Sequence, residues 1–366
     1  MQDAPMTIAI DAGPLYGHRT GVGVATAGMF AALAEVGEVE LAPYLVSGRS
    51  TPQPGHRRLP MPGIVASHLW SRSGHPAADR WMGDADLVHG TNYVAPPTRL
   101  PTVVSVYDCW FLQHHDEATP LVRRAGANLR RAVGRGAWIH ATSEATAATA
   151  RDLLHTDRVV TVHLGPPPDG PEPSPPAGHA ELGGVPYVLS LGTEERRKDV
   201  VLLIEAFREL VADHPELVLV LAGAPGDDSD RITAAIDTVG PTGGRIRRLG
   251  QVDDRVKQWL LRHASVLAYP SRDEGFGFPV LEANALGTPV VATSVGAIPE
   301  VAGDAAVLVD GTDRNPVALA AAISSVVSGP HRLGLIEAGY RNVRRFSWER
   351  TAHGLVELYR TARASS

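Results

Sequence analysis

Short, continuous runs of apolar residues recur along the first half of the chain, and stretches with helical spacing separate several of them. Strand-like runs lie at 8–10, 40–46, 86–89, 102–106, 137–141 and 158–163, and helical stretches at 24–36, 121–134 and 144–154. Strands that are apolar throughout are typical of a parallel sheet covered by helices on both faces. The pattern therefore predicts an α/β domain over residues 1–164.

The second half of the chain repeats this alternation more regularly. Strands are predicted at 187–191, 217–222, 245–249, 265–269, 289–292 and 305–309, and helices at 199–213, 229–238, 254–263, 279–286, 315–327 and 331–344. This order is typical of a doubly wound α/β domain, which binds ligands at the carboxyl ends of its strands. We expect such a domain over 187–345, followed by an amphipathic C-terminal helix in 346–366. Packing of that helix against the first domain stays open.

A proline-rich segment separates the two halves. Seven of the eleven residues from Pro166 to Pro176 are proline, which excludes a helix or a central strand. Residues 165–186 are therefore predicted to form a stiff, extended linker, with a recognition site for a proline-binding domain as the alternative. Two domains joined in this way form a cleft, which is a common ligand site.

Composition narrows the class of protein. The 40 acidic residues exceed the 34 basic residues by six, which argues against a general nucleic-acid binder, because such binding needs a cationic surface. The single Cys109 excludes an intramolecular disulfide and a cysteine-rich zinc site. We see no signal peptide, and no apolar run reaches the ~18–20 residues of a membrane span. We expect a cytoplasmic protein, and a peripheral position at the inner membrane face stays open.

The most informative stretch reads YPSRDEGFGFPVLEANALGTP and covers residues 269–289. Its glycines let the backbone pass close to a ligand, while Pro279 and Gly287 suit the first turn and the end of a helix. The amino terminus of a helix carries partial positive charge and suits a phosphate or a sugar hydroxyl. Four backbone amides are expected there, those of Gly275, Phe276, Gly277 and Phe278.

Two carboxylates flank this turn. Glu274 precedes it, and Glu282 lies about one turn into the helix. Carboxylates accept paired hydrogen bonds from vicinal hydroxyls. Each of the two glutamates could therefore bind a diol, one on either side of a diphosphate. Each glutamate alone also fits a structural role, Glu282 at the helix dipole and Glu274 as a solvated loop acid. The combination of strand, glycine turn and two acids favours ligand binding.

The segment resembles the E-x7-E signature of retaining glycosyltransferases of family 4, which have the GT-B fold. That pattern reads P-S-x-x-E-G-F-G-L-P-x-L-E-A, then G-x-P-V-V-A and P-E-V-x-G-x-A. This chain matches it at 270–271, 274–277, 279, 281–283, 287–292 and 299–303, with Phe278 where the pattern has leucine. The resemblance implies two Rossmann-like domains that face each other across a cleft. It also implies that Glu274 contacts donor-sugar hydroxyls and that Glu282 contacts the nucleotide ribose. The amides near Phe276, Gly277 and Phe278 would touch sugar and phosphate.

A basic loop after the first strand of the second half supports the same interpretation. Residues 192–199 read GTEERRKD, where the family often has G-T-x-E-x-R-K-N and uses the arginine and lysine to grip the diphosphate. Arg197 and Lys198 match, and Asp199 replaces the usual asparagine. Fixed cations can stabilise the charge on a departing nucleoside diphosphate without a metal. We therefore expect no metal and no cofactor, with a nucleoside diphosphate sugar as donor; the loop resembles that of members that use GDP-mannose.

The first domain departs from the family at one position. Gly21-Val22-Gly23 precedes helix 24–36, and by resemblance Gly23 approaches the donor phosphate; a plain helix-start loop is the alternative. Thr26 stands where a dinucleotide fingerprint has its third glycine, which argues against an NAD enzyme. The family usually has His-Asp after the strand at 102–106, whereas this chain has Tyr107-Asp108. Tyr107 could donate a hydrogen bond to a sugar or phosphate, but a group with a pKa near ~10 cannot do the proton work of histidine.

These features predict a retaining glycosyltransferase that moves a hexose, with mannose as first choice, to a hydroxyl of a carbohydrate, lipid or small-molecule acceptor. By the family's front-face route, the departing phosphate oxygen would help to deprotonate that hydroxyl. Two alternatives stay open. One is a degenerate member that binds a sugar nucleotide or assists a partner without turnover, as the change to Tyr107 suggests. The other is a sugar-nucleotide epimerase on the same fold. The sequence makes no prediction of the oligomeric state.

Overall fold

The computed structural model describes residues 5–16, 20–116, 118–167 and 170–365, and it divides into two compact units. One unit comprises Met1–Pro167 together with Phe346–Ser366, and the other comprises Pro168–Arg345. Both are α/β units built on parallel sheets, which confirms the predicted fold class.

Within the described residues, the first unit holds a seven-stranded parallel sheet with the strand order β3-β2-β1-β4-β5-β6-β7. The strands are β1 (Met6–Asp11), β2 (Val39–Val46), β3 (Arg57–Leu59), β4 (Leu87–Gly90), β5 (Thr102–Val106), β6 (Trp138–Ala141) and β7 (Val159–Thr161). The helices are α1 (Gly21–Val36), α2 (Gly63–Arg72), α3 (Asp79–Met82), α4 (Trp110–Gln113), α5 (Pro120–Gly134) and α6 (Glu144–Leu154). The order reverses between β1 and β4, so the carboxyl ends of these two strands form a topological switch point.

The structure corrects one prediction in this unit and adds elements that the sequence analysis did not predict. Helix α1 begins at Gly21, so Gly23 lies inside its first turn and not in a loop before it. The sequence analysis also missed β3, α2, α3 and α4. Strand β3 lies at the edge of the sheet and begins with Arg57 and Arg58, so it contains no continuous apolar run.

The second unit holds a six-stranded parallel sheet over its described residues, with the order β10-β9-β8-β11-β12-β13. The strands are β8 (Tyr187–Leu191), β9 (Val218–Ala222), β10 (Ile246–Gly250), β11 (Val266–Tyr269), β12 (Val290–Thr293) and β13 (Val307–Val309). The helices are α7 (Val200–Leu210), α8 (Ser229–Thr238), α9 (Asp254–His263), α10 (Phe278–Ala285), α11 (Ile298–Ala302), α12 (Pro316–Val327) and α13 (Arg332–Val343). Here the order reverses between β8 and β11, which brings the loops after these two strands together.

The proline-rich segment is more structured than an extended linker. The boundary between the units falls after Pro167, and residues 168 and 169 lie outside the described residues. Beyond them, a 3-10 helix spans Ala180–Gly183. Leu182 is buried in the core of the second unit, because it is the largest apolar side chain that this segment offers. The later part of 165–186 therefore belongs to the second unit.

The chain ends in α14 (Trp348–Ala364), which packs against α1 in the first unit. Ser347 caps its amino end by accepting a hydrogen bond from the Arg350 N–H at 3.2 Å. The Trp348 indole donates to the Pro166 carbonyl at 2.7 Å. The apolar face of α14 is buried among α1 and the sheet, so the terminal segment completes the first unit's core.

Candidate functional site

Two loops meet at the switch point of the second sheet. Residues 192–199 follow β8 and residues 270–277 follow β11, and these strands are hydrogen-bonded neighbours. The Arg272 N–H donates to the Arg197 carbonyl at 2.7 Å, and Arg197 Nη1 donates to the Asp273 carbonyl at 3.0 Å. The basic loop and the acidic turn predicted from the sequence therefore lie side by side.

Glu274 forms the centre of a buried ionic cluster. Its Oε2 accepts a hydrogen bond from Arg197 Nη1 at 3.0 Å, and its Oε1 accepts one from Lys198 Nζ at 2.5 Å. Burial raises the pKa of Glu274, but the charges of Lys198 and Arg197 outweigh that effect, and the pKa falls to about 2. Glu274 is therefore ionised at neutral pH and is held between two cations.

The structure overturns the alternative in which Glu274 is a solvated loop acid. The side chain is 6% exposed, because β8 and β11 bring the two loops into contact. The structure brings together three of the four residues predicted to be catalytic, namely Glu274, Arg197 and Lys198. Their roles toward a ligand stay predictions.

Tyr269 is a member of this cluster that the sequence analysis missed. It is the last residue of β11, and its hydroxyl accepts a hydrogen bond from Lys198 Nζ at 2.8 Å. Burial raises its pKa well above the ordinary value, so the phenol stays neutral. Its position in the sequence could have identified it, because it ends a buried strand and ligands bind at the carboxyl ends of the strands in such sheets.

The turn before helix α10 adopts a backbone conformation that requires glycine at residue 277. Gly277 adopts a left-handed φ of 93°, and a Cβ at this position would lie 2.8 Å from Ile298 Cδ1. The Glu274 carbonyl accepts a hydrogen bond from the Ala297 N–H at 2.7 Å, which anchors the turn to the loop before α11. Helix α10 begins at Phe278, and its N-cap residue is Gly277, which has no side chain to cap it. Gly275 and Phe276 are buried within the turn.

Glu282 lies on α10 and forms an ion pair that the sequence analysis also missed. Lys257 Nζ of α9 lies 2.7 Å from Glu282 Oε1 and 3.0 Å from Asp254 Oδ1. Burial lowers the pKa of Lys257, but the neighbouring carboxylates outweigh this and raise it above its ordinary value. Each glutamate of the E-x7-E pair thus holds a lysine.

Gly23 and Tyr107 belong to the first unit. Gly23 is buried in the first turn of α1. The Tyr107 hydroxyl donates to the Thr91 carbonyl at 2.7 Å, and burial raises its pKa above the ordinary value. The expectation that Tyr107 donates to a ligand needs correction, because its single proton already binds a backbone carbonyl.

Asp11 ends β1 near Tyr107 and was not recognised as a candidate. Its carboxylate accepts a hydrogen bond from the Gly13 N–H at 2.8 Å, and the Thr91 hydroxyl donates to its backbone carbonyl at 2.8 Å. Burial raises the pKa of Asp11 to about 6, against the lowering effect of the Gly13 N–H. The switch point of the first sheet therefore carries a carboxyl group whose pKa is raised to about 6.

Comparison of the sequence with known proteins finds similarity to glycosyltransferases. The family model described as "Glycosyl transferases group 1" matches residues 176–342. The O-antigen chain mannosyltransferase B of Escherichia coli is 28% identical over 300 residues, which cover 78% of each chain. The D-inositol 3-phosphate glycosyltransferase of Rhodococcus jostii (strain RHA1) is 31% identical over 337 residues, or 85% of this chain and 68% of that protein.

The fold is also that of a solved structure. The sucrose-phosphate synthase of Thermosynechococcus elongatus superposes with a TM-score of 0.73 at 19% identity, over 99% of this chain and 100% of that one. At this identity the likeness shows a shared GT-B fold. The family match covers both loops of the cluster around Glu274.

Proposed function

Because this chain belongs to the glycosyl transferases group 1 family and has the GT-B fold, we propose that it moves mannose, with retention of configuration, from a nucleoside diphosphate sugar to an acceptor hydroxyl. The observation that carries the proposal is the cluster in which Arg197 and Lys198 hold Glu274 at the switch point of the second sheet. Cations and an acid in one place suit a ligand that has both a diphosphate and a polyol.

The cluster has hydrogen-bonding capacity for a diphosphate. An ammonium group has three N–H donors, and Lys198 uses two of them, for Glu274 and Tyr269. The third can donate to a phosphate oxygen. As the glycosidic bond breaks, negative charge grows on the departing diphosphate, and fixed cations in a partly buried site stabilise it. No metal ion is required for this step.

The departing diphosphate also supplies the base in the proposed route. Retention is proposed to follow from a front-face displacement, in which a phosphate oxygen takes the proton of the acceptor hydroxyl. Glu274 would orient the sugar through its hydroxyls, and Glu282 would bind the ribose. With a pKa held to about 2, Glu274 is a hydrogen-bond acceptor and not a proton donor at neutral pH.

The choice of GDP-mannose as donor rests on two supports. The loop at 192–199 resembles that of GDP-mannose-dependent members, and one of the relatives named above is a mannosyltransferase. The test is a thermal-shift screen of GDP-, UDP-, ADP- and dTDP-sugars, followed by measurement of slow diphosphate release in the presence and absence of EDTA. We expect GDP-mannose to bind and turn over in both conditions. Binding without release would support the non-catalytic alternative, and an acceptor-independent sugar product would support the epimerase.

We further propose that the acceptor is presented at an anionic membrane surface. Helices α2 and α5 pack together, since the Asn128 amide donates to the Ser67 carbonyl at 3.2 Å. Their outer faces carry five of the eight large apolar side chains found exposed among the described residues, namely Ile64, Val65, Leu69, Leu121 and Val122. Neither helix contains an acid, and together they carry five arginines: Arg72, Arg123, Arg124, Arg130 and Arg131. Exposed apolar side chains on helices that carry arginines and no acids suit anionic lipid headgroups.

Attachment of this kind does not need a membrane-spanning segment. In the part of the chain that the structure describes, no single helix is long and apolar enough to cross a membrane. Helices α12 and α13 taken together are long and apolar enough, but they are bent by 93° relative to each other. Sedimentation with phosphatidylcholine vesicles, with and without phosphatidylglycerol, tests the proposal. We expect binding only to the anionic vesicles, with loss in Ile64→Asn/Leu121→Asn and retention in Leu333→Asn, a matched exposed leucine on α13. Equal binding of the parent and both variants would contradict it.

A further inference from the structure

Asp199 introduces a negative charge beside the two cations of the basic loop. It follows Lys198 directly and adopts a left-handed φ of 46°, a conformation that asparagine and aspartate tolerate better than other non-glycine residues. The family pattern has a neutral asparagine here, so the backbone requirement alone does not explain a carboxylate. In a loop proposed to bind a diphosphate, an uncompensated carboxylate would repel the ligand.

Arg314 occupies both oxygens of this carboxylate. Its Nε lies 2.5 Å from Asp199 Oδ2, and its Nη2 lies 2.7 Å from Asp199 Oδ1. This is the bidentate arrangement in which a guanidinium matches a carboxylate. The Asp199 side chain is 3% exposed, whereas Arg314 lies in the loop before α12, 115 residues further along the chain.

The ion pair also keeps Asp199 away from the start of α7. Aspartate at this position commonly caps a helix through its side chain, but Asp199 makes no such hydrogen bond to the first turn of α7. The positive end of α7 is therefore not neutralised by this carboxylate. Without Arg314, the carboxylate could turn toward the helix start or toward Lys198, and either position would weaken an anion site.

A second acid of the same loop, Glu194, is also paired with an arginine from outside the loop. The carboxylate of Glu194 is buried and accepts a hydrogen bond from Arg248 Nε at 2.6 Å and from the Ser229 hydroxyl at 2.5 Å. Both buried acids that flank the cations are thus paired with an arginine from outside the loop. The charges of Arg197 and Lys198 are then opposed chiefly by Glu274 and Glu195.

We propose that Arg314 is a positioning residue of the diphosphate site, which neutralises Asp199 and holds its carboxylate away from the bound anion. This inference rests on the proposed function of the basic loop. It assigns Arg314 no contact with the ligand. The need for Arg314 arises from the carboxylate, so it disappears when Asp199 is replaced by asparagine.

Calorimetric titration with inorganic pyrophosphate and with GDP tests this on the full chain. Arg314→Gln removes the charge but keeps a hydrogen-bond donor. We expect it to lower the affinity for both ligands about tenfold, which is the scale of the effect of one unit charge at ~10 Å in a partly buried site. Arg314→Lys, which retains the charge, is expected to stay within about threefold of the parent. In Asp199→Asn/Arg314→Gln, affinity is expected to return to within about threefold of the parent.

The double variant separates the proposed role from a merely structural one. If the bridge mattered only for the fold, the double variant would bind as weakly as Arg314→Gln, because it also lacks the bridge; that result would overturn the proposal. Unchanged affinity in Arg314→Gln, or a tenfold loss in Arg314→Lys, would overturn it as well. Arg208→Ala on α7 is the matched control for loss of one arginine, since among the described residues Arg208 pairs only with its neighbour Glu209. A parent that binds neither ligand would overturn the proposed function of the loop and this inference with it.

Discussion

Replacement of Lys198 by methionine is expected to lower the rate of sugar transfer by about 10²–10³, the scale for losing one positioned electrostatic donor. Methionine fills a similar volume without a charge. Lys198 is 14% exposed, and its ammonium contacts Glu274 and Tyr269. In the variant, Glu274 keeps its hydrogen bond from Arg197, so its buried charge still has a partner.

The pKa of Glu274 sets the scale of the cost in stability. Its decrease from the ordinary 4.5 to about 2 corresponds to about 3 kcal/mol of unfolding free energy at neutral pH. Because the folded-state pKa is the lower one, this contribution is present above pH ~4.5 and is lost as the pH falls toward about 2. Lys198 and Arg197 share the effect, so Lys198→Met is expected to cost about 1–2 kcal/mol.

Diphosphate release at several donor concentrations, together with urea unfolding, measures both effects. In Lys198→Met/Glu274→Gln the unfolding free energy is expected to recover toward that of the parent, because the buried carboxylate that lost one of its two cations is now neutral and Arg197 keeps its ion pair with Glu195, while the transfer rate stays low. Transfer by Lys198→Met within threefold of the parent would refute the diphosphate role. Recovery of transfer in the double variant would show that the lysine serves only the fold.

Three further predictions concern residues outside the contact between Lys198 and Glu274. Glu282→Gln is expected to raise the donor KM about tenfold with kcat changed less than threefold, as for loss of a binding contact, and Lys257→Ala should act in the same direction; a fall in kcat alone would contradict the ribose role. Asp11→Asn is expected to raise the thermal midpoint at pH 8 more than at pH 5. The raised pKa of about 6 means that the protonated form favours folding and that this stability is lost as the pH rises through 6; an equal effect at both pH values would contradict it. Tyr107→Phe is expected to cost about 1 kcal/mol of stability, because the Thr91 carbonyl loses its donor, and to keep transfer within threefold. A hundredfold loss of transfer would restore a catalytic role for Tyr107.

The fold could be predicted from the sequence where burial on both faces of a strand requires a run of mostly apolar residues. Strands buried on both faces, such as β5 and β8, are mostly apolar and were located without error. Helix α2 was missed because Ile64, Val65 and Leu69 are apolar on its exposed face, so the contrast between two faces that marks an amphipathic helix is absent. The start of α1 was misplaced because glycines at a helix start look like loop residues.

The candidate site was predictable only in part. The contact of Glu274 with Arg197 and Lys198 follows from strand order, since loops after neighbouring parallel strands meet at one edge of the sheet. The partners Lys257 and Arg314 were not predictable. They lie on elements whose distance from the site depends on how helices pack over the sheet, and a single basic residue on a helix or loop is usually solvated.

The central claim is that the two loops around Glu274 hold the diphosphate and the sugar of the donor. A crystal structure of the protein with GDP-mannose tests it most directly. We predict phosphate oxygens within hydrogen-bond distance of Lys198 Nζ and the Arg197 guanidinium, with a sugar hydroxyl against the Glu274 carboxylate. A diphosphate bound elsewhere, with the three side chains still paired only to one another, would contradict the account.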